Sequence, residues 1–337
     1  MTAPKIPLNF FGIAFGLAGF GEFWAFVAHY DDAPVAIPDV VLLVSATVWL
    51  VVLVAYLRHL MSDRSTLRTD LLDPIAAPFA SLAVITPILL SAVGLYPHAE
   101  TAGRILTDVF VGLMVLLGGW FTGQWIYGSI DLDTFHPGYF LPTVAGGLVA
   151  SASAAAVGQQ RLAQVMFGFG LICWIVLGSI ILGRLVFRPM LPPALQPTLA
   201  IEVAPAAVAS LAWFQIHGEQ IDMVAAALAG YGLLMVLAQL RLLPLYRRLS
   251  FMPSTWAFTF SWAAVATTGL IWLQASQVTG YVVWQYVVVA LISILVGGIS
   301  LRTVVALSRR QFLPRAATFA PAASSPPQVF DNDLAHQ

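Results

Sequence analysis

Ten separate stretches of about twenty apolar residues constrain this chain more than any other feature, because a soluble domain has nowhere to bury so many long apolar runs. Read with a window of about 19 residues, they cover 8–29, 39–58, 76–96, 103–127, 141–158, 162–186, 199–216, 222–243, 255–274 and 281–306. Each is long enough to cross a hydrocarbon core about 30 Å thick. The sequence therefore predicts an all-α polytopic membrane protein of ten transmembrane helices, lying in a lipid bilayer and with little chain left for any extramembrane domain. Composition agrees, since only 9% of the 337 residues are charged, against roughly 25% in soluble domains. The fifth and seventh stretches are the least obvious, being rich in Ala and Gly instead of Leu and Ile. The first resembles a signal peptide in following Lys5, yet it contains Glu22 and has Phe23 and Phe26 where a small-x-small cleavage site would be needed, so it reads as an uncleaved helix.

The fifteen Lys and Arg fix the count and the orientation. Alternating sides along the ten stretches puts Lys5, Arg58, Arg64, Arg68, Arg184, Arg188, Arg241, Arg247, Arg248, Arg302, Arg309, Arg310 and Arg315 on one side, and Arg104 and Arg161 on the other. By the positive-inside rule this 13 to 2 division makes both termini cytoplasmic, and removing one helix would scramble it. The chain then reads as five helical hairpins, each leaving on an odd helix and returning on an even one. The odd helices begin near 8, 76, 141, 199 and 255, a spacing that reads as a degenerate repeat. Residues 1–310 form the ten-helix membrane domain. Residues 311–337, with Pro321, Ser324, Ser325, Pro326 and Pro327, read as a disordered cytoplasmic tail.

Odd and even helices differ in kind. Pro7, Pro78, Pro87, Pro142 and Pro205 fall within or at the entrance of odd helices, and the even interiors contain none over these bounds. Small residues follow the prolines: Gly12, Gly16, Gly19 and Gly21 in the first helix, LPTVAGGLVASASAAAVG with Gly146 in the fifth, APAAVASLA in the seventh. The second (VVLLVSATVWLVVLVAYL) and sixth (LICWIVLGSIIL) are bulky, as lipid-facing helices tend to be. Small residues let backbones approach, and proline is tolerated at membrane depth where the freed backbone groups are buried or line a wet cavity. The simplest arrangement is concentric, an inner ring of odd helices around a central pore and an outer ring of even ones. The same composition also suits tight packing with no lumen, and spacing does not choose between the two.

The stretches FFGIAFGLAGFGEFW (Phe10 to Trp24), HPGYFLPTVAGGLVAS (His136 to Ser151), LAIEVAPAAVASLAWF (Leu199 to Phe214), GYGLLMVLAQLRLLP (Gly230 to Pro244) and TWAFTFSWAAVATTG (Thr255 to Gly269) resemble the tellurite-resistance/dicarboxylate transporter family. That family includes bacterial TehA and the plant guard-cell slow anion channels. The likeness runs in order to about Arg310 and is nearest to the TehA branch. It implies ten helices as five hairpins around a pore in each subunit, a homotrimer in a bacterial inner membrane, and passive conduction of small inorganic anions. It also implies a pore-plugging phenylalanine from the ninth helix, which matches Phe260; many relatives follow it with proline where this chain has Ser261.

The candidate pore-lining or kink residues are Pro87, Pro142, Gly146, Pro205 and Ser261. A ring across an apolar constriction blocks ions by sterics and dewetting. Intramembrane charge normally marks function, so Glu22, Asp108 and Glu202 stand out. Glu202, one turn into the seventh helix, suits the positive helix end and is expected to snorkel to the interface. Asp108 is expected to pair with Arg104 at i,i+4 spacing. Cys173 alone makes no intrachain disulfide, and the six histidines fall at loops or helix ends with no metal-ligand spacing on one helix, so no metal is expected. Without a P-loop or glycine-rich nucleotide motif no cofactor is expected, and a formal net charge of -1 with no basic, aromatic-interleaved cluster sets nucleic acid aside.

An apolar lumen without fixed charge returns little of an ion's desolvation cost, so weakly hydrated anions such as nitrate and the larger halides are expected to pass best. The rival reading is a coupled carrier for C4-dicarboxylate, sulfite or the tellurite oxyanion. Such a carrier would place cationic groups or broken-helix N-termini at mid-membrane depth, and no Lys or Arg lies there. An intramembrane enzyme is a third class, disfavoured because no acid, base and nucleophile converge.

Overall fold

The computed structural model describes residues 6–30, 33–63, 65–128, 130–218, 220–309 and 311–312, and these form helices and short connections with no strand among them. Ten helices are long and apolar enough to cross a membrane: α1 (Leu8–Tyr30), α2 (Ala36–Ser62), α3 (Ala77–Leu95), α4 (Glu100–Tyr127), α5 (Pro137–Ala156), α6 (Gln160–Phe187), α7 (Gln196–His217), α8 (Met223–Tyr246), α9 (Pro253–Ala275) and α10 (Tyr281–Ser308). A short helix, Ser65–Leu72, joins α2 to α3. The protein is an integral membrane protein built of helices alone, as an apolar solvent demands when every backbone group must be satisfied within the chain.

The two sets of helices differ in backbone as well as in composition. Every odd helix opens with a tight 3-10 segment: Leu8–Phe10, Ala77–Ser81, Pro137–Phe140, Gln196–Val203 and Pro253–Trp256. Two of them also contain a π-helical turn, Leu90–Leu95 shortly after Pro87 and Leu141–Ala145 around Pro142. Proline explains both departures, since it removes a donor and its ring clashes with the preceding turn. The even helices are single uninterrupted α-helices. One expectation needs correcting here. Pro244 does lie inside an even helix, because α8 runs three residues beyond 243 to Tyr246.

Burial divides along the same line. In the most apolar stretch of each odd helix 56 to 89% of residues are buried, against 22 to 28% in each even helix. Contacts link α1 to α3, α3 to α5, α5 to α7, α7 to α9, and α9 back to α1, so the contacts of the five odd helices close on themselves. Each even helix packs on the odd helix before it. Gly158 and Gly218 take φ values of +81° and +77° in the turns after α5 and α7, a region glycine enters freely, and this lets each hairpin reverse within a few residues.

Outer side chains cap inner carbonyls. Ser45 Oγ of α2 donates to Ala14 O of α1 at 2.7 Å, Trp49 Nε1 of α2 to Ala83 O of α3 at 3.0 Å, and Gln239 Nε2 of α8 to Leu199 O at 2.8 Å, inside the long 3-10 entry of α7. Ala83 O, left without its helical donor by Pro87 four residues on, and Leu199 O are thereby satisfied inside the bundle. After α10, Phe312 is buried edge-on to Phe10 at 5.3 Å and stacked on Phe251 at 5.7 Å. The rest of the expected tail, 313–337, lies outside the described residues, as do Lys5, Arg64, Arg310 and Arg315.

Candidate permeation cavity

A cavity of about 50 Å³ lies among the odd helices, and all five contribute to its wall. Asn9, Gly12 and Phe15 come from α1, Phe79 and Leu82 from α3, Phe140, Leu141, Val144, Ala145 and Leu148 from α5, Ile201, Ala204, Pro205 and Val208 from α7, and Pro253, Ser254, Trp256, Ala257, Phe260 and Ser261 from α9. No charged residue lines it. A cavity of this size holds only a few waters, so a hydrated ion would have to shed part of its shell to enter.

Every lining residue falls in the first two thirds of its helix. Five helices therefore point the same end at one space. Each helix carries a partial positive charge that fades beyond its first turn, and the first turns of α1, α3, α5 and α9 reach the wall at Asn9, Phe79, Phe140 and Ser254, which biases the cavity positively without a Lys or Arg in its wall. The 3-10 entries strengthen the point, because their first N–H groups lack partners within the helix.

Phe260 is 6% exposed and forms part of the cavity wall. Its ring stacks on that of Phe15 with centroids 3.9 Å apart and planes inclined by 23°. Gly19, one turn beyond Phe15, supplies the bed: a Cβ there would stand 2.5 Å from Phe260 Cδ2. Ser261 is 2% exposed and also lines the cavity. With serine in place of proline here, α9 continues from Ala257 to Ala275 as regular α-helix, and its irregularity is confined to the Pro253–Trp256 entry.

Of the remaining candidates, Pro205 lines the cavity, whereas Pro87, Pro142 and Gly146 do not. Pro142 turns its carbonyl toward Gly118 of α4, and a Cβ on Gly146 would lie 2.9 Å from Met114 Cγ of α4. Both belong to the face of α5 that packs on its outer neighbour. Glu202 differs from the snorkelling expected of it. It is 7% exposed, and its Oε1 is buried with no hydrogen-bond partner among the described residues, on the side of α8 that carries Tyr231 and Tyr246. The tight 3-10 entry of α7 holds it there. Arg104 bonds Glu100 at 3.1 Å, and Asp108 instead accepts from Gln159 Nε2 at 2.8 Å, because the turn after α5 brings that amide alongside α4.

Two residues at the cavity escaped the sequence reading. Asn9 lies in the entry turn of α1 and is the one amide in the wall. His136, just ahead of α5, stacks on the lining residue Phe79 at 5.7 Å. Its Nδ1 accepts from Gly138 N at 3.1 Å, so Nε2 carries the proton and donates to Ile75 O at 3.2 Å. Burial lowers its pKa from 6.5 to about 4, and the ring is a neutral staple tying the entries of α3 and α5. A HPG triplet before a proline-rich helix could have flagged it.

A membrane protein whose five odd helices, each opened by a 3-10 turn, gather around an uncharged cavity is by class a candidate conduit for small solutes. The chain belongs to the SLAC1 family, described as voltage-dependent anion channels, which matches residues 5–304. It is 27% identical over 314 residues to a tellurite resistance protein TehA homolog of Haemophilus influenzae, covering 93% of this chain and 94% of that one. It is 23% identical to the S-type anion channel SLAH2 of Arabidopsis thaliana, covering 96% of this chain and 64% of that protein. It is also 23% identical to the guard cell S-type anion channel SLAC1 of the same plant, over 82% of this chain and 51% of that protein.

Proposed function

We propose that the protein passively conducts small monovalent anions along the axis of the odd helices, with Phe260 as the gate. One observation carries the reading: an uncharged cavity is walled by all five odd helices, each from the first two thirds of its length, and contains the Phe260 ring stacked on Phe15. The first turns of α1, α3, α5 and α9 at the wall favour an anion over a cation, and an apolar wall favours anions that lose water easily. Family membership supports the anion as the conducted species. The family likeness further supports a homotrimer in a bacterial inner membrane, and the surplus of Arg on the side where the odd helices begin supports cytoplasmic termini. By likeness to the Haemophilus protein, the activity is linked to tellurite resistance.

A second reading, a proton-coupled carrier for C4-dicarboxylate, sulfite or tellurite, is favoured by Glu202, a buried carboxyl with no cationic partner among the described residues. Such a group is a natural place for a proton to bind. Purified protein in planar bilayers separates the two. Conduction predicts unitary currents with nitrate and iodide ahead of chloride in reversal potentials. Strong preference for fluoride or sulfate, or a flux that saturates and follows an imposed proton gradient, would contradict it and favour the carrier.

A further inference from the structure

Resting on the conduction reading, we propose that Asn9 is the hydrogen-bond donor that receives the anion in the cavity and sets which anions enter. The entry turn of α1 dictates its direction. Leu8 and Phe10 on either side are 3% and 4% exposed, so both pack into the core and the residue between them faces the cavity. The Oδ1 of Asn9 is fully buried and accepts no hydrogen bond. The amide thus offers the cavity its Nδ2 end, with two N–H donors that no group among the described residues takes up.

The other polar groups of the wall leave Asn9 with little competition. Ser254 Oγ donates to Ala194 O at 2.9 Å, and Trp256 Nε1 donates to Thr303 Oγ1 at 2.9 Å. Ser261, beside the Phe260 ring, is the second group of the wall whose donor takes no partner among the described residues. Asn9 precedes Phe15 by six residues, which at 1.5 Å per residue puts it about 9 Å nearer the helix starts than the stacked rings. An anion arriving from that side meets the Asn9 amide first and the Ser261 hydroxyl next to the ring.

A neutral donor is the right chemistry for a conduit. A buried cation would hold an anion too tightly to release it, while a wholly apolar wall would return none of the lost hydration. An amide N–H returns part of it, and conduction needs binding that is favourable yet weak enough to leave. The benefit is largest for small anions with concentrated charge, so Asn9 should narrow the discrimination against chloride relative to iodide.

The test is the chloride-to-iodide permeability ratio from reversal potentials of the purified protein in planar bilayers, for wild type, Asn9→Leu, Asn9→Asp and Asn9→Ser. A hydrogen bond to a charged group is worth roughly a tenfold preference, so Asn9→Leu should lower the ratio by up to about tenfold. Asn9→Asp should cut total anion conductance by at least about tenfold, and Asn9→Ser, which keeps a donor, should stay near wild type. Equal thermal midpoints for the four proteins tie these changes to the cavity and not to folding. Wild-type anion currents with the same ratio and conductance in the Leu and Asp variants would overturn the role of Asn9 alone. A wild type that passes no anion would overturn the conduction reading and this inference together.

Discussion

Helices α5 and α7 are the most buried of the ten, at 83 and 89%, with mean hydropathies of 1.3 and 1.6, whereas α2 and α6, at 22 and 28% buried, reach 2.7 and 2.5. In a soluble protein the order would be reversed, because there the apolar face seeks the core. In a bilayer, lipid is as apolar as leucine, so bulky residues gain nothing by facing inward and the inside is selected for close fit. Burial here is bought with glycine and alanine. Low hydropathy in these membrane helices therefore marks the ones buried inside the bundle.

The contrast can be broken at the joint between the two sets. A Cβ on Gly147 of α5 would lie 2.6 Å from Gly170 Cα of α6, backbone against backbone, so neither side can give way cheaply. Gly147→Val should cost about 3 kcal/mol or more by overpacking, read as loss of monodisperse protein in detergent or a large fall in thermal midpoint. An unchanged midpoint would mean that the inner helices are looser than their burial implies.

The inner entries should also carry a pH dependence. The pKa of His136 is lowered from 6.5 to about 4 by burial. A group depressed in the folded state stabilises fully above its unfolded value, and its contribution is lost as pH falls, because the unfolded chain takes up a proton that the folded one does not. Stability should therefore drop between pH 6.5 and 4, by on the order of 3 kcal/mol at the acid end. His136→Gln, which keeps a donor and an acceptor, should flatten thermal midpoints over that range; an equally steep profile in the variant would remove His136 from the account.

A smaller effect separates inside from outside directly. Leu148 of α5 is 0% exposed and Leu237 of α8 is 54% exposed. Leu148→Ala should cost about 2 kcal/mol through the packing it vacates, and Leu237→Ala close to nothing, since lipid fills the gap. Equal shifts in thermal midpoint would contradict the division into buried and lipid-facing helices.

Much of this was legible in the sequence. The number of helices followed from apolar runs of membrane length checked against the thirteen-to-two placement of basic residues, two signals that fail independently. The difference between odd and even helices followed from proline and small residues, because those types answer to close backbone approach. The helical phase was not legible. Pro142 and Gly146 have the composition of a pore wall, yet they face Gly118 and Met114 of α4, since a helix rich in small residues all round offers no apolar stripe to orient it. Glu202 looked like an interfacial carboxylate because of its place in the chain, and only the 3-10 entry of α7 turns it inward. Asn9 was hidden for the same reason: an irregular first turn decides where its amide points.

The central claim is that ions cross within the odd helices and that the Phe260 ring closes the way. Anion flux into liposomes under an imposed voltage tests it most directly, comparing wild type with Phe260→Ala and, as the outer control, Leu237→Ala. The account predicts flux at least about tenfold faster for Phe260→Ala, a barrier lowered by about 1.4 kcal/mol or more, and no change for Leu237→Ala. Identical flux in wild type and Phe260→Ala would contradict it.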